Sequence, residues 1–98
     1  MEKRTPHCQL NAVKALVVAG QVRATHLARV GASELGMEFL DMLAVVMALK
    51  PTDFYKSMTT HADQTVWQDV YRPSTQVGDV YLKLTVIDAV LIVSFKEL

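Results

Sequence analysis

The sequence predicts an α+β fold in which N-terminal helices pack on one face of a twisted antiparallel sheet. Three observations carry that prediction. Before Pro51 apolar residues recur at three- and four-residue spacing, the signature of amphipathic helix. From Tyr55 onward the residue types change to Thr, Trp, Tyr and Val, which favour strands. Finally, the stretch from Val80 to Lys96, VYLKLTVIDAVLIVSFK, alternates apolar and polar residues up to Val86. The alternation resumes after Asp88-Ala89 with its parity changed, Leu91, Val93 and Phe95 carrying the apolar face, which reads as a β-hairpin.

In chain order, Thr5-Pro6 predicts an N-cap and first helical residue, and Gly20 the matching C-terminal cap. Leu10, Val13, Leu16 and Val17 supply the apolar stripe between them. Gln21 to Ala24 reads as a short extended piece. Thr25 then caps a second helix through Leu27, Ala28, Val30, Ala32 and Leu35, closed by Gly36 and weakened by Gly31 in its middle. Met37 to Lys50, MEFLDMLAVVMALK, is apolar on nearly every side, which predicts the most buried helix, laid on the hairpin with its methionines filling the core. Pro51 stops it, and Thr52 to Phe54 forms a short turn. Strands are expected near Lys56 to Thr60 and from Val66 to Arg72, with a turn at His61 to Gln64 between them and a loop from Pro73 to Gly78 after them.

If Asp88 and Ala89 are the central turn residues, Val86 faces Leu91, Leu84 faces Val93 and Leu82 faces Phe95, making one wholly apolar face. The reverse face then sets Tyr81 opposite Lys96 and Lys83 opposite Ser94. A one-residue slip would drive Ser94 and Lys96 into the core, so the pattern specifies the parity. Strand parity also lets Gln68 share this face with Val66, Val70 and Arg72, leaving Trp67, Asp69 and Tyr71 on the other. Those three read either as core residues with Asp69 paired or as an aromatic platform for bases.

A chain of 98 residues with 51% hydrophobic content makes one globular domain, residues 1–98. No apolar run approaches the roughly 20 residues of a membrane span, and the N-terminus leads into no signal-peptide core, so a cytoplasmic protein without membrane association is expected. The single cysteine, Cys8, excludes an internal disulfide. Formal net charge is zero, which gives no support for a nucleic-acid binder of any kind, and no direct DNA binding is expected. Residues 53–98 hold four Lys or Arg (Lys56, Arg72, Lys83, Lys96) against six acids, so any phosphate site on the sheet must come from a local cluster.

At KSMTTHADQTVWQDVYRP, residues 56–73, the chain closely resembles the motility quorum-sensing regulator (MqsR) toxin family of bacterial toxin–antitoxin modules. The likeness runs through the opening MEKRTPH, the central DFYKSMTT, the WQDVYRP block and the closing VLIVSFKEL. The resemblance implies a RelE-like fold and a ribosome-independent endoribonuclease that cuts single-stranded mRNA at short GC-containing triplets. It also implies a cognate antitoxin that holds the enzyme inactive. The family's functional set falls on Lys56, Gln68, Tyr81 and Lys96, all present here.

Cleaving RNA without a metal means attack of a 2′-hydroxyl on its own phosphate. That needs a proton acceptor, a proton donor to the 5′-oxygen, and cations for the phosphorane charge. No His, Cys or carboxylate cluster has metal-ligand spacing, so neither metal nor cofactor is expected. Lys56 and Lys96 would supply charge, Gln68 would hold a phosphate or base edge, and Tyr81 would carry a proton. Arg72, Lys83 and His7 are expected as substrate contacts. The competing reading is a non-catalytic module that binds protein or RNA through the exposed sheet face or edge.

Overall fold

The division of residue types at Pro51 is the division of the fold, described for residues 1–98 by a computed structural model. The chain runs β1 (Glu2–Lys3), α1 (Leu10–Val18), β2 (Val22–Ala24), α2 (His26–Glu34) and α3 (Phe39–Met47), then a 3₁₀ turn at Pro51–Asp53. After the turn come β3 (Phe54–Thr59), β4 (Trp67–Tyr71), β5 (Ser74–Thr75), β6 (Gly78–Ile87) and β7 (Ala89–Glu97). The strands form one sheet in the order β1-β3-β4-β6-β7-β2, with β5 paired to the start of β6. Every pairing is antiparallel except β2 with β7, which is parallel. No helix is long and apolar enough to cross a membrane.

Helix ends follow the expected caps in part. Gly20 and Gly36 hold φ of 78° and 74°, and the following N–H groups reach back to the carbonyls of Leu16 and Ala32, at 2.9 Å each, closing both helices. Thr25 Oγ1 accepts from the Ala28 N–H at 3.1 Å, the expected N-cap. Thr5-Pro6 does not start a helix. α1 begins at Leu10 with Gln9 as its cap residue, because two longer-range interactions keep the preceding segment extended. Glu2 and Lys3 pair with Met58 and Ser57 on β3, and the buried Asp69 carboxylate accepts from the N–H groups of His7 and Cys8 at 3.0 and 3.1 Å.

The core lies between the helices and one face of the sheet. Val13, Val17, Ala28, Ala32, Met42, Val46 and Leu49 meet Tyr71, Val80, Leu82, Leu84, Val90, Ile92 and Phe95. α3 is buried along as much of its length as α1 and more than α2, but it is not the helix that lies on the hairpin. That place belongs to α2, which packs along β7 and approaches so closely that a Cβ on Gly31 would stand 2.0 Å from the Phe95 carbonyl oxygen. Small residues Ala28, Gly31 and Ala32 give α2 this approach, and larger apolar side chains on α3 do not permit it. α3 rides outside, burying Met42 and Val46 while Leu40 stays 76% exposed.

The hairpin keeps the expected pairs at its open end and changes them near its turn. Tyr81 pairs with Lys96, Leu82 with Phe95 and Lys83 with Ser94. Beyond a register shift between Lys83 and Leu84, the pairs become Leu84 with Ile92, Thr85 with Leu91 and Val86 with Val90. A β-bulge at Val93 therefore replaces the expected Leu84–Val93 and Val86–Leu91 pairs. Val90 and Ile92 are buried and Leu91 and Val93 only half-buried, the reverse of the expected parity. The turn is correspondingly tighter: Ile87 pairs with Ala89, and Asp88 alone reverses the chain at φ 64°.

Candidate active site

The helix-free face of the sheet is built by strand alternation. Tyr71, Leu82 and Phe95 form a cross-strand row pointing into the core, so the neighbouring row of Lys56, Val70, Lys83 and Ser94 points the other way. Tyr81 and Lys96 flank this row on one side. On the other side Gln68 pairs with Met58. The expected face of Lys56, Gln68, Tyr81 and Lys96 is thus assembled by the sheet, and Lys83 sits at its centre.

A bulge in β3 adds a residue that the sequence reading missed. Phe54 pairs with Tyr71 and Lys56 with Val70, leaving Tyr55 as the extra residue. Its ring meets the cations of the face. The Arg72 guanidinium lies 4.5 Å from the Tyr55 ring centre, and the Lys56 ammonium 5.4 Å. Alternation across Tyr55 predicts the opposite side, and only a bulge turns both Tyr55 and Lys56 outward. With Arg72 held there, every Lys and Arg of the chain's second half comes to this one face.

Electrostatics differ among these cations. The Lys56 ammonium is 3.0 Å from the Glu2 carboxylate, and its hydrogen bond and charge hold the Glu2 carboxyl below the ordinary range. Glu2 was also missed, because a two-residue strand leaves no pattern to read. Lys96 is exposed, its ammonium 5.2 Å from the Tyr81 ring centre. Lys83 is half-buried, and burial first, then the Lys96 charge, lowers its pKa.

His7 does not join this face. It stacks on Trp67 with ring centres 5.6 Å apart, while Lys3 approaches His7 Nδ1 at 3.1 Å and the Trp67 ring centre at 4.2 Å. Trp67 leaves β4 on the same side as buried Asp69 and Tyr71, the side of the helices. The choice left open for these residues goes to structure: Tyr71 is core, Asp69 is paired with backbone donors, and Trp67 is covered by His7 and Lys3.

A cleft of about 860 Å³ lies elsewhere, between α3 and the Pro73–Val77 loop. It brings together no row of cations, whereas an extended RNA strand needs an open charged surface more than a deep cavity. No three His, Cys, Asp or Glu side chains converge as metal ligands anywhere in the fold. What the sheet face offers is a phenol, an amide and four cations spread over four adjacent strands, suited to binding a phosphodiester backbone and moving protons at it.

Comparison with known proteins agrees with that chemistry. A family model described as "Motility quorum-sensing regulator, toxin of MqsA" matches residues 5–97. The chain is similar to the mRNA interferase toxin MqsR of Escherichia coli (strain K12), at 62% identity over 97 residues, covering 99% of each chain. A match that spans the helices, the sheet and the whole cationic face shows that the chain belongs to the MqsR toxin family.

Proposed function

We propose that this protein is the toxin of a toxin–antitoxin pair, a cytoplasmic endoribonuclease that cleaves single-stranded mRNA at short GC-containing sequences without metal or ribosome. In this reading residues 1–98 act as one unit. The observation that carries it is the convergence of Lys56, Arg72, Lys83 and Lys96 with Tyr81 and Gln68 on one open sheet face, in a chain whose net charge is zero. A neutral protein has no general attraction for RNA, so a cationic face of this kind is a local site.

On this face the RNA backbone lies across the strands, and the scissile phosphate sits among the ammonium groups, which stabilise the charge of the phosphorane. Gln68 holds a phosphate or base edge. Tyr81, beside Lys96, takes part in proton transfer, and the Tyr55 ring, backed by Arg72, stacks on a base. Attack of the 2′-hydroxyl yields a 2′,3′-cyclic phosphate and a 5′-hydroxyl. A cognate antitoxin protein restrains the activity in the cell.

The test is incubation of purified protein with a single-stranded GC-containing RNA in excess EDTA. Fragments ending in 2′,3′-cyclic phosphate are expected from the wild type and are lost with Tyr81→Phe or Lys96→Ala. Intact RNA under these conditions, from a folded protein, overturns the reading in favour of a non-catalytic binding module.

A further inference from the structure

Four cations share the candidate face, and their surroundings differ in a way that separates their tasks. Lys56 is already paired with Glu2. Arg72 stacks on Tyr55, and a guanidinium does not give up its proton at any working pH. Lys96 is exposed at the edge of the face, over Tyr81. Lys83 stands in the middle of β6, with fully buried Val70 on one flank and half-buried Ser94 on the other. It is the one lysine of the face that is partly withdrawn from water without a carboxylate partner.

That position suits proton donation. Adjacent strands lie about 4.8 Å apart, so Lys83 is roughly two strand spacings from Lys56 and within one of Lys96's strand. A phosphate seated over Val70 is therefore reached by Lys56 from one side and Lys83 from the other. We infer that Lys83 is the general acid of the cleavage step, delivering its Nζ proton to the 5′-oxygen of the departing nucleotide. The inference rests on the nuclease reading above and adds a role to it. A lowered pKa, caused by burial and by Lys96, makes that proton more available than an ordinary lysine's.

The step is balanced within the RNA. The P–O2′ bond forms as the P–O5′ bond breaks. The 2′-hydroxyl proton passes through the Tyr81 hydroxyl, which takes it up as it releases its own, to water on the open face. O5′ takes the proton from Lys83, and the neutral amine regains one from solvent.

Two RNAs of the same sequence test this, one native and one with the bridging 5′-oxygen replaced by sulfur, whose thiolate leaves without protonation. In single-turnover cleavage, Lys83→Ala is expected to slow the native RNA by about 10²- to 10⁴-fold, the usual range for general acid catalysis. The sulfur-containing RNA should be cut at close to the wild-type rate. Lys83→Arg keeps the charge without a releasable proton, so it should restore RNA binding and leave native cleavage slow. Equal losses on both RNAs, or wild-type rates on both, overturn the assignment. Failure of the wild type on both would instead overturn the nuclease reading itself.

Discussion

Tyr81 and Lys96 are cross-strand partners whose side chains meet on solvent rather than in the core. If both act on one transition state, their losses are non-additive. Tyr81→Phe and Lys96→Ala together should slow cleavage little more than the worse single change, with the folding transition unmoved, which a double-mutant cycle in single-turnover rates measures. Fully additive losses would mean independent roles. Tyr71, the other kind of tyrosine, is 1% exposed and its hydroxyl has no partner within the chain. Burial, then the nearby Asp69 and Cys8, push its phenol from 10.0 up to about 12. An acid raised in this way keeps its proton in the folded state while the unfolded chain releases it. Its contribution is intact below pH 10 and is lost as pH rises from 10 towards about 12. The urea midpoint should fall over that interval, and more steeply in the wild type than in Tyr71→Phe; parallel curves would contradict the assignment.

Among the elements, α2 shows how one residue type sets a packing distance. In an exposed helix, Gly→Ala gains about 1 kcal/mol. At Gly31 the added Cβ would stand 2.0 Å from a backbone oxygen of β7, which has no flexible end to move aside. Forced displacement of this kind costs roughly 1–3 kcal/mol, enough to reverse the sign. Gly31→Ala should therefore lower Tm by about 4–8 °C for each kcal/mol, as thermal unfolding by circular dichroism would show; a raised Tm would mean that α2 does not sit so close. The bulges matter in the same way. The one in β3 turns Tyr55 and Lys56 to the same side, and the one in β7 restores the Tyr81–Lys96 pairing after a turn one residue shorter than expected.

For the molecule as a whole, the second half of the chain is acidic by count, yet its four Lys and Arg residues gather on one face. Its acids are dispersed: Asp69 is buried against backbone donors, Asp63 is tied to Thr65 at 2.6 Å, and Asp79 is tied to Ser74 at 2.8 Å. RNA affinity should accordingly be salt-dependent despite zero net charge. With three or four phosphates neutralised, log K against log salt should fall with a slope of about −2 to −3 for a single strand, measured by fluorescence anisotropy. A flat dependence would remove the phosphate site from this face. Alternation put Tyr81 and Lys83 on one face of their strand and let Gln68 share it, whereas the Tyr81–Lys96 pairing also needed the β7 bulge to offset the shorter turn. The faces were legible because a strand's side-chain period is a local property. Caps at Gly20, Thr25 and Gly36 were legible for the same reason: each needs only its own helix end. The site's remaining members were decided by the tertiary structure. Glu2 reaches Lys56 only because β1 finds the free edge of β3, and Tyr55 faces outward only because β3 bulges against β4. His7 leaves the site because Asp69 captures its backbone and Trp67 its ring. α2 displaced the more apolar α3 from the hairpin by fitting closer to it. In each case segments distant in the chain compete for the same edge or surface, and the outcome depends on a sum of contacts that exists only once the chain has folded.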